Sequence, residues 1–465
     1  MKSKLIILSI ISAAALLQLP SAANAQDLES SYFMEGSTYR HRMNPAFINE
    51  SNYINLPFIG IGNMNINVSS DFGMSNFLYP AANGSLTTFM NPSVSSEQFL
   101  SGLNTKNRLG LSLSTDILSV GFYGIAGGYS TIELGIKSDT WLNLPYNVFA
   151  LLKNGMYDAE GTSYDLNGIS ATSNNYVQLS FGHSRYVLDD VLSVGAKVKV
   201  LFGIANATAT IDGNAYLSQD KWQIDASGSI TGSLQGARFT TDAGGIVNGL
   251  AIDKYGIAGY GAALDLGAYF DMKDFVEGLA ISASVTDLGF ISWNNSITAQ
   301  MEHGFIFEGF ENPIGEGSSL NDEINALGQD LKEFIKFRPG EDIKSRTSML
   351  SAKMFIGVEY KLPMYDKVKF GLLSSTTFNN PFTYTEARLV AQYSPADWFE
   401  FNINYAYGTF GSSFGWMLNF HPKGFNFFIG SDNTYFGKFS PQFIPTGKLN
   451  TSIHFGFNVK WGERR

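Results

Sequence analysis

Thr451–Trp461 reads TSIHFGFNVKW, an unbroken alternation. Ile453, Phe455, Phe457, Val459 and Trp461 fall on one side of an extended chain, and His454, Gly456, Asn458 and Lys460 on the other. Spacing of period two marks a strand with one apolar and one polar face. In a soluble sandwich the apolar face meets a second sheet. In a transmembrane barrel it meets lipid, while the polar face lines a lumen.

The same rhythm recurs upstream, and it favours the barrel. Val194, Ala196, Val198 and Val200 alternate with Ser193, Gly195, Lys197 and Lys199. Two lysines at i and i+2 facing a soluble core would be very costly; facing a wet lumen they are unremarkable. Alternating runs of this type begin near Phe58, Leu109, Ile132, Val177, Ala262, Leu279, Ala352, Val368, Ala387, Phe401, Ser413 and Phe425. The phase slips at Asp116–Ile117, as a β-bulge would make it. Residues 108–125 therefore read as one bent strand, turned at Ala126-Gly127-Gly128. The expected fold is all-β: a transmembrane antiparallel β-barrel of about 14 strands, an even number as in bacterial single-chain barrels. Both chain ends and the short turns Leu362–Asp366, Ser394–Asp397 and His421–Gly424 then share the periplasmic side.

Composition agrees. Charged residues make up only 15 %, while Gly 48, Phe 37 and Tyr 22 are high counts for 465 residues. A mean hydropathy of -0.02 is neither membrane-helical nor strongly polar, which suits a protein that hides apolar residues at alternate positions. Residues 1–25 read as a signal peptide: Lys2 and Lys4, the apolar run Leu5–Leu17, then Ala23-Asn24-Ala25 before Gln26. Removing that leader takes the formal charge from -10 to -12, which argues against nucleic acid as a partner. The chain has no Cys, which excludes disulfides and a lipoprotein anchor.

Residues 26–53 lack a clean period and hold Tyr32, Phe33, Met34, Tyr39, Arg40, His41, Arg42, Asn44, Pro45, Ala46 and Phe47. Such aromatic density favours an N-terminal hatch or plug over a loose tail, with residues 54–465 forming the barrel. Helix-bearing extracellular loops are expected near 71–107, 139–175 and 295–346. Ser95 and Gln98 have capping-box spacing before one short helix. Pro145 and Gly155 bracket a second. Leu320, Ile324, Leu327, Leu331 and Phe334 recur at helical spacing in a third. The apolar faces of these helices, with Phe99 and Leu103, Phe149 and Leu152, define a candidate outer ligand groove.

No catalytic set emerges. The five histidines (His41, His183, His303, His421, His454) show no metal-ligand spacing, so no cofactor and no metal site are expected. The expected lumen lining is polar and mixed in sign: Lys197, Lys199, Asp265, Lys353, Glu386, Arg388, His454 and Lys460. Trp398 and Trp461 sit at strand ends, where an interfacial girdle belongs. Trp141, Trp222 and Trp293 lie in or beside outer loops.

Asn44-Pro45-Ala46 resembles the element near the start of FadL-type transporters of hydrophobic compounds, as does the layout of hatch, strands and loop helices. Tyr260–Met272 (YGAALDLGAYFDM) and Gly278–Gly289 (GLAISASVTDLG) resemble paired strands of that superfamily. The PorV and PorQ branch of Bacteroidota, tied to type IX secretion, shares that layout. Ser31–Phe47 and Leu86–Leu100 look like an uncharacterised Bacteroidota outer-membrane family. The resemblance implies uptake of a hydrophobic or amphiphilic small molecule: capture in the outer groove, passage past the hatch, and sideways exit at Asp116–Ile117 or near Gly121, Gly124, Gly127 and Gly128. The alternative it implies is a PorV-like adaptor that docks a secretion or surface-lipoprotein partner. Outer-membrane lipid surrounds either form, and a monomer is expected.

Overall fold

The computed structural model describes residues 28–462, apart from 56–62, 82–85, 156–160, 189, 219–221, 302–304, 308–335, 438–446 and 449. In chain order the strands are β1 (Asn52–Asn55), β2 (Met64–Ser70), β3 (Lys106–Tyr123), β4 (Tyr129–Pro145), β5 (Ile169–Leu188) and β6 (Leu192–Leu217). Next come β7 (Trp222–Leu234), β8 (Gly259–Asp271), β9 (Leu279–Met301), β10 (Ile343–Met349), β11 (Ala352–Lys361) and β12 (Val368–Phe378). The set ends with β13 (Tyr384–Ala396), β14 (Phe399–Gly408), β15 (Gly411–Phe420), β16 (Phe425–Ser431) and β17 (Thr451–Trp461).

Neighbours pair antiparallel around a ring. β17 closes it by pairing with β1 and β2, which lie on β3 at their other edge. With β1 and β2 counted as one stave, β10 and β11 as another, and β7 above the ring, fourteen staves result.

The alternation read from sequence has its polar side inward. Ile453 is 44 % exposed and Trp461 46 %, whereas His454 is 0 % exposed. On β6, Val198 is 55 % exposed and Lys197 2 %. A strand whose valines face out and whose lysines face in is inside-out for water, and correct for a wall between lipid and a polar interior. Phe181, Ile281, Phe370, Leu372, Leu389 and Ile403 continue the outward apolar band.

The bulge falls where the phase slip placed it: the β3–β4 register shifts between Asp116 and Leu118. Gly124 and Gly127 have positive φ, as does Ala126; they make the turn after β3, where left-handed backbone suits glycine. Gly121 instead faces inward, beneath Tyr53 and Tyr129.

Above the membrane the strands outrun the sequence reading. β6 is 26 residues long, although a tilted strand needs only about 9–11 residues to cross. Its first half pairs with β8 and its second with β7, with which it forms a tall hairpin. The loop expected at 139–175 narrows, because β4 runs to Pro145 and β5 starts at Ile169. The insertion at 295–346 likewise carries strand at both ends, in β9 and β10. These extensions leave the lipid, so neither face must be apolar and their period blurs (NATATIDGNAYL, residues 206–217).

Two of the three loop helices are described: α1 (Ser96–Leu100) and α2 (Tyr146–Asn154). The Ser95 hydroxyl accepts from the Gln98 amide at 3.1 Å. Gly155 closes α2 at φ 53°. The expected third helix, with Leu320, Ile324, Leu327, Leu331 and Phe334, falls outside the described residues.

Candidate functional site

The lumen is filled from below by residues 28–50. The segment makes two 3-10 turns, Glu29–Ser31 and Arg40–Arg42, and almost every side chain in it is buried. Its upper end hangs on Asp432. That carboxylate accepts from the amides of Glu29 (2.8 Å) and Ser30 (2.7 Å) and from the Ser30 hydroxyl (2.5 Å).

Its middle is an ion-pair knot. The Arg42 guanidinium donates to Glu133 Oε1 through Nε (2.9 Å) and Nη2 (2.8 Å), and also pairs with Asp116. Lys197 donates to the other Glu133 oxygen at 2.5 Å, and His41 Nε2 lies 3.3 Å from Oε1. The Asp116 bulge therefore does more than bend the strand: its carboxylate answers Arg42. Burial lowers the His41 pKa and favours the neutral ring, against the pull of Glu133.

Asn44-Pro45-Ala46 sits against bare backbone. Gly195 and Gly267 are register partners on β6 and β8. A Cβ on Gly195 would come within 2.1 Å of the Pro45 carbonyl oxygen, and one on Gly267 within 2.0 Å of Asn44 Oδ1. Asn44 closes its own turn by accepting from the Ala46 amide (3.0 Å) and donates to Ala268 O (3.1 Å). Tyr32 and Phe33 press on Gly357 and Gly371 in the same way. Arg40 stacks over Phe47 at 4.4 Å. Alternation marks these glycines as inward-facing, but nothing local says a plug needs the space.

The expected lumen residues do face inward, and the lysines are neither wet nor solitary. Lys199 pairs with Asp265 (2.7 Å) and Asp287 (2.6 Å), and Lys137 joins Asp287 at 2.8 Å. Opposed charges satisfy one another in a space too full for bulk water, which corrects the wet-lumen expectation for Lys197 and Lys199. Glu386 pairs with Arg388, His454 Nδ1 meets Asn65 Oδ1 at 2.8 Å, and Lys460 donates to His421 O at 3.2 Å. Glu133, Asp287, Glu29 and Asp432 are buried carboxylates the sequence reading passed over, and Asp116 was read only as the bulge and exit. Only the inward parity of Glu133 signalled any of them.

At the short-turn rim Glu35 pairs with Lys369, which holds its carboxyl down at about 2. His421 packs on Gly36 with Glu400 at 3.9 Å. Burial, with Lys460 adding to it, pulls its imidazole to about 4.

Above the plug lie two narrow clefts, both bordered by Tyr384. Lys137, Asp139, Trp141, Tyr176, Asp287 and Lys353 line the first. Glu29, Glu386, Arg388, Asp432, His454 and Phe410 contribute to the second. An aromatic box borders both: Trp141 contacts Phe382 (5.5 Å), Tyr384 (5.0 Å) and Phe410 (6.5 Å), and Arg108 stands over Phe382 and Phe410 at 5.4 Å. Trp141 and Trp293 are thus interior, over Gly110 and Gly203, rather than loop-packing residues. Trp398 and Trp461 are exposed at strand ends.

The loop helices do not leave a groove among the described residues. Phe99 is 0 % exposed and stacks on Phe89 at 4.1 Å. Phe149 is buried in the same cluster, with Leu103 and Leu152 packed against it. These faces form the interior of a solid cap.

A family of unknown function, DUF5723, matches residues 45–432, well over half of the sequence, and the chain belongs to this family. A search of curated proteins found no match. By structure the chain is similar to the Ralstonia pickettii toluene transporter TbuX, with 9 % identity, TM-score 0.45, and 93 % of this chain and 98 % of that one covered. It is similar to the Pseudomonas putida toluene transporter TodX at 8 % identity, TM-score 0.38, and 95 % of each chain covered. The translocator domain of the Neisseria meningitidis autotransporter NalP also matches, with 9 % identity, TM-score 0.32, and 88 % of each chain covered. Likeness this distant carries no argument about activity.

Proposed function

We propose that this DUF5723 member is an outer-membrane barrel that passes a small amphiphilic molecule, non-enzymatically, through the chamber above its plug. One observation carries the reading. The two clefts, which meet at Tyr384, each set aromatic rings (Trp141 in one, Phe410 in the other) beside fixed charges, the two chemistries an amphiphile presents. The membrane assignment rests on the outward apolar band, borne by strands in a closed even-numbered ring. The Gram-negative outer membrane follows from that architecture together with the signal-like leader. In this scheme the short turns are periplasmic, the cap is extracellular, and the wall irregularity at Asp116–Leu118 offers the sideways exit.

Native mass spectrometry of protein extracted from its own membrane in mild detergent tests this. The expected result is a discrete added mass of a few hundred daltons that organic solvent removes. A bare chain that also shows no saturable binding of a fluorescent fatty-acid probe would sink it.

Burial of Phe99 and Phe149 favours a second reading, a PorV-like adaptor. A cap packed this tightly is a firm platform for a secretion or surface-lipoprotein partner. A stoichiometric protein partner on an empty barrel, in the same spectrum, is the result that reading expects.

A further inference from the structure

The second void has an unbalanced account of donors and acceptors. Three carboxylates reach it, Glu29, Glu386 and Asp432, against one guanidinium, Arg388. Arg388 donates to Glu386 and Asn404, and to the Asp432 carbonyl at 3.1 Å, while its buried Nε makes no hydrogen bond. Glu29 Oε2 accepts from the Ser375 hydroxyl at 3.1 Å and stands 3.6 Å from Arg388 Nε.

Asn433 supplies a separate observation. It is 7 % exposed and donates to Asn67 at 3.3 Å, yet its own buried Oδ1 receives no hydrogen bond. Asn450 Oδ1, on the same void, is in the same state. A buried acceptor without a donor costs about 1–3 kcal/mol. Two amide oxygens without donors stand against one unpartnered donor, Arg388 Nε, and three carboxylates against one guanidinium, beside the rings of Tyr384 and Phe410.

We propose that the void beneath Phe410 is a binding site for an ammonium group. An alkylammonium brings donors and no acceptor, carries the missing positive charge, and favours aromatic faces. A bare metal ion fits less well: among the described residues no group of carboxylates and imidazoles is arranged to hold one. Burial, and Glu386 after it, pushes the Glu29 carboxyl up to about 8, against Arg388 and Lys353 and with Asp432 on the other side. An arriving ammonium displaces that proton, so binding tightens as pH rises towards 8. His454, beside Asp432 at 3.5 Å, and the Tyr384 phenol are the remaining titratable groups on the void.

The ammonium has two sources. One is the head of the passing amphiphile, which rests on the function proposed above. The other is the α-amino group that removal of the leader would leave at Gln26, three positions before Glu29.

The experiment uses the full processed barrel in detergent. Calorimetry compares n-octylammonium with n-octanoate at about pH 6 and about pH 8, while amine acetylation reads the N-terminus. The expected result is saturable octylammonium binding, tighter at the higher pH, and weakened about tenfold by Glu386→Gln, as loss of one charge-assisted contact implies. Circular dichroism checks the variant's fold, and Asn450→Ala serves as the milder second variant. An α-amino group protected in the parent and acetylated in Glu386→Gln, with no octylammonium binding, also supports the site and assigns it to the chain itself. That outcome sinks amphiphile passage but not the ammonium site. Octanoate binding equal to or tighter than octylammonium overturns the site and leaves amphiphile passage standing. A freely acetylated N-terminus without octylammonium binding overturns the site as well.

Discussion

The lower and upper halves of one lumen are filled on opposite terms. Below, Arg42, Lys197 and His41 converge on Glu133 and Asp116. Glycines take the plug's backbone and rings. Above, in the second void, three carboxylates face one guanidinium, and Asn433 and Asn450 keep acceptors without donors while Arg388 Nε keeps a donor without an acceptor. A region whose charges answer one another is built to hold a shape. A region whose charges do not is built to meet something else.

The sharpest way to break the contrast is Arg42→Ala. It strands Glu133 and Asp116 in a buried knot, and a broken buried pair costs about 3–5 kcal/mol. Hydrogen exchange across residues 28–50 should accelerate while the barrel amides stay protected. Equal acceleration everywhere would mean that the plug and wall unfold as one.

The rim supplies a pH test. His421 titrates near 4 in the folded protein and near 6.5 when unfolded, so the unfolded chain takes up the proton first. Stability is full above about 6.5 and falls as pH drops towards about 4, by at most about 3 kcal/mol. Glu35 works in a lower window: its carboxyl is held at about 2 by Lys369, so its contribution is lost only as pH falls from about 4.5 to about 2. Urea midpoints should therefore slope between pH 6.5 and 4, and His421→Gln should flatten that slope.

Gly195→Val tests the seat of Pro45. Overpacking costs about 1–3 kcal/mol, and here the obstacle is backbone, so the plug should yield before the strand. Single-channel conductance should rise; a silent barrel with intact β signal would show that the plug can reseat. Smallest is Ser95→Ala in the cap. Losing the N-cap bond to Gln98 costs about 1 kcal/mol, visible as faster proteolysis of the loop and no change in the plug.

Much of the wall was legible. Alternation in β6, β12 and β17, the slip at Asp116, the brackets around α2 and the Ser95 cap are all written within a few neighbouring residues. The upper halves of β6 and β9, and β7, were not, because outside lipid no solvent contrast enforces a period. The plug could be suspected from its aromatic density, but its seat could not. Glu29 and Asp432 are 403 positions apart, and Gly195 meets Gly267 only through the β6–β8 register.

The sequence by itself determined which side of each membrane strand faces lipid, because that choice repeats every second residue. The tertiary structure alone decided which cation meets which anion, that Lys197 and Lys199 are dry, and that the faces of Phe99 and Phe149 close into a cap. Those outcomes depend on register, ring closure and the course of the plug, which together bring distant residues within about 3 Å of one another, the range over which hydrogen bonds act.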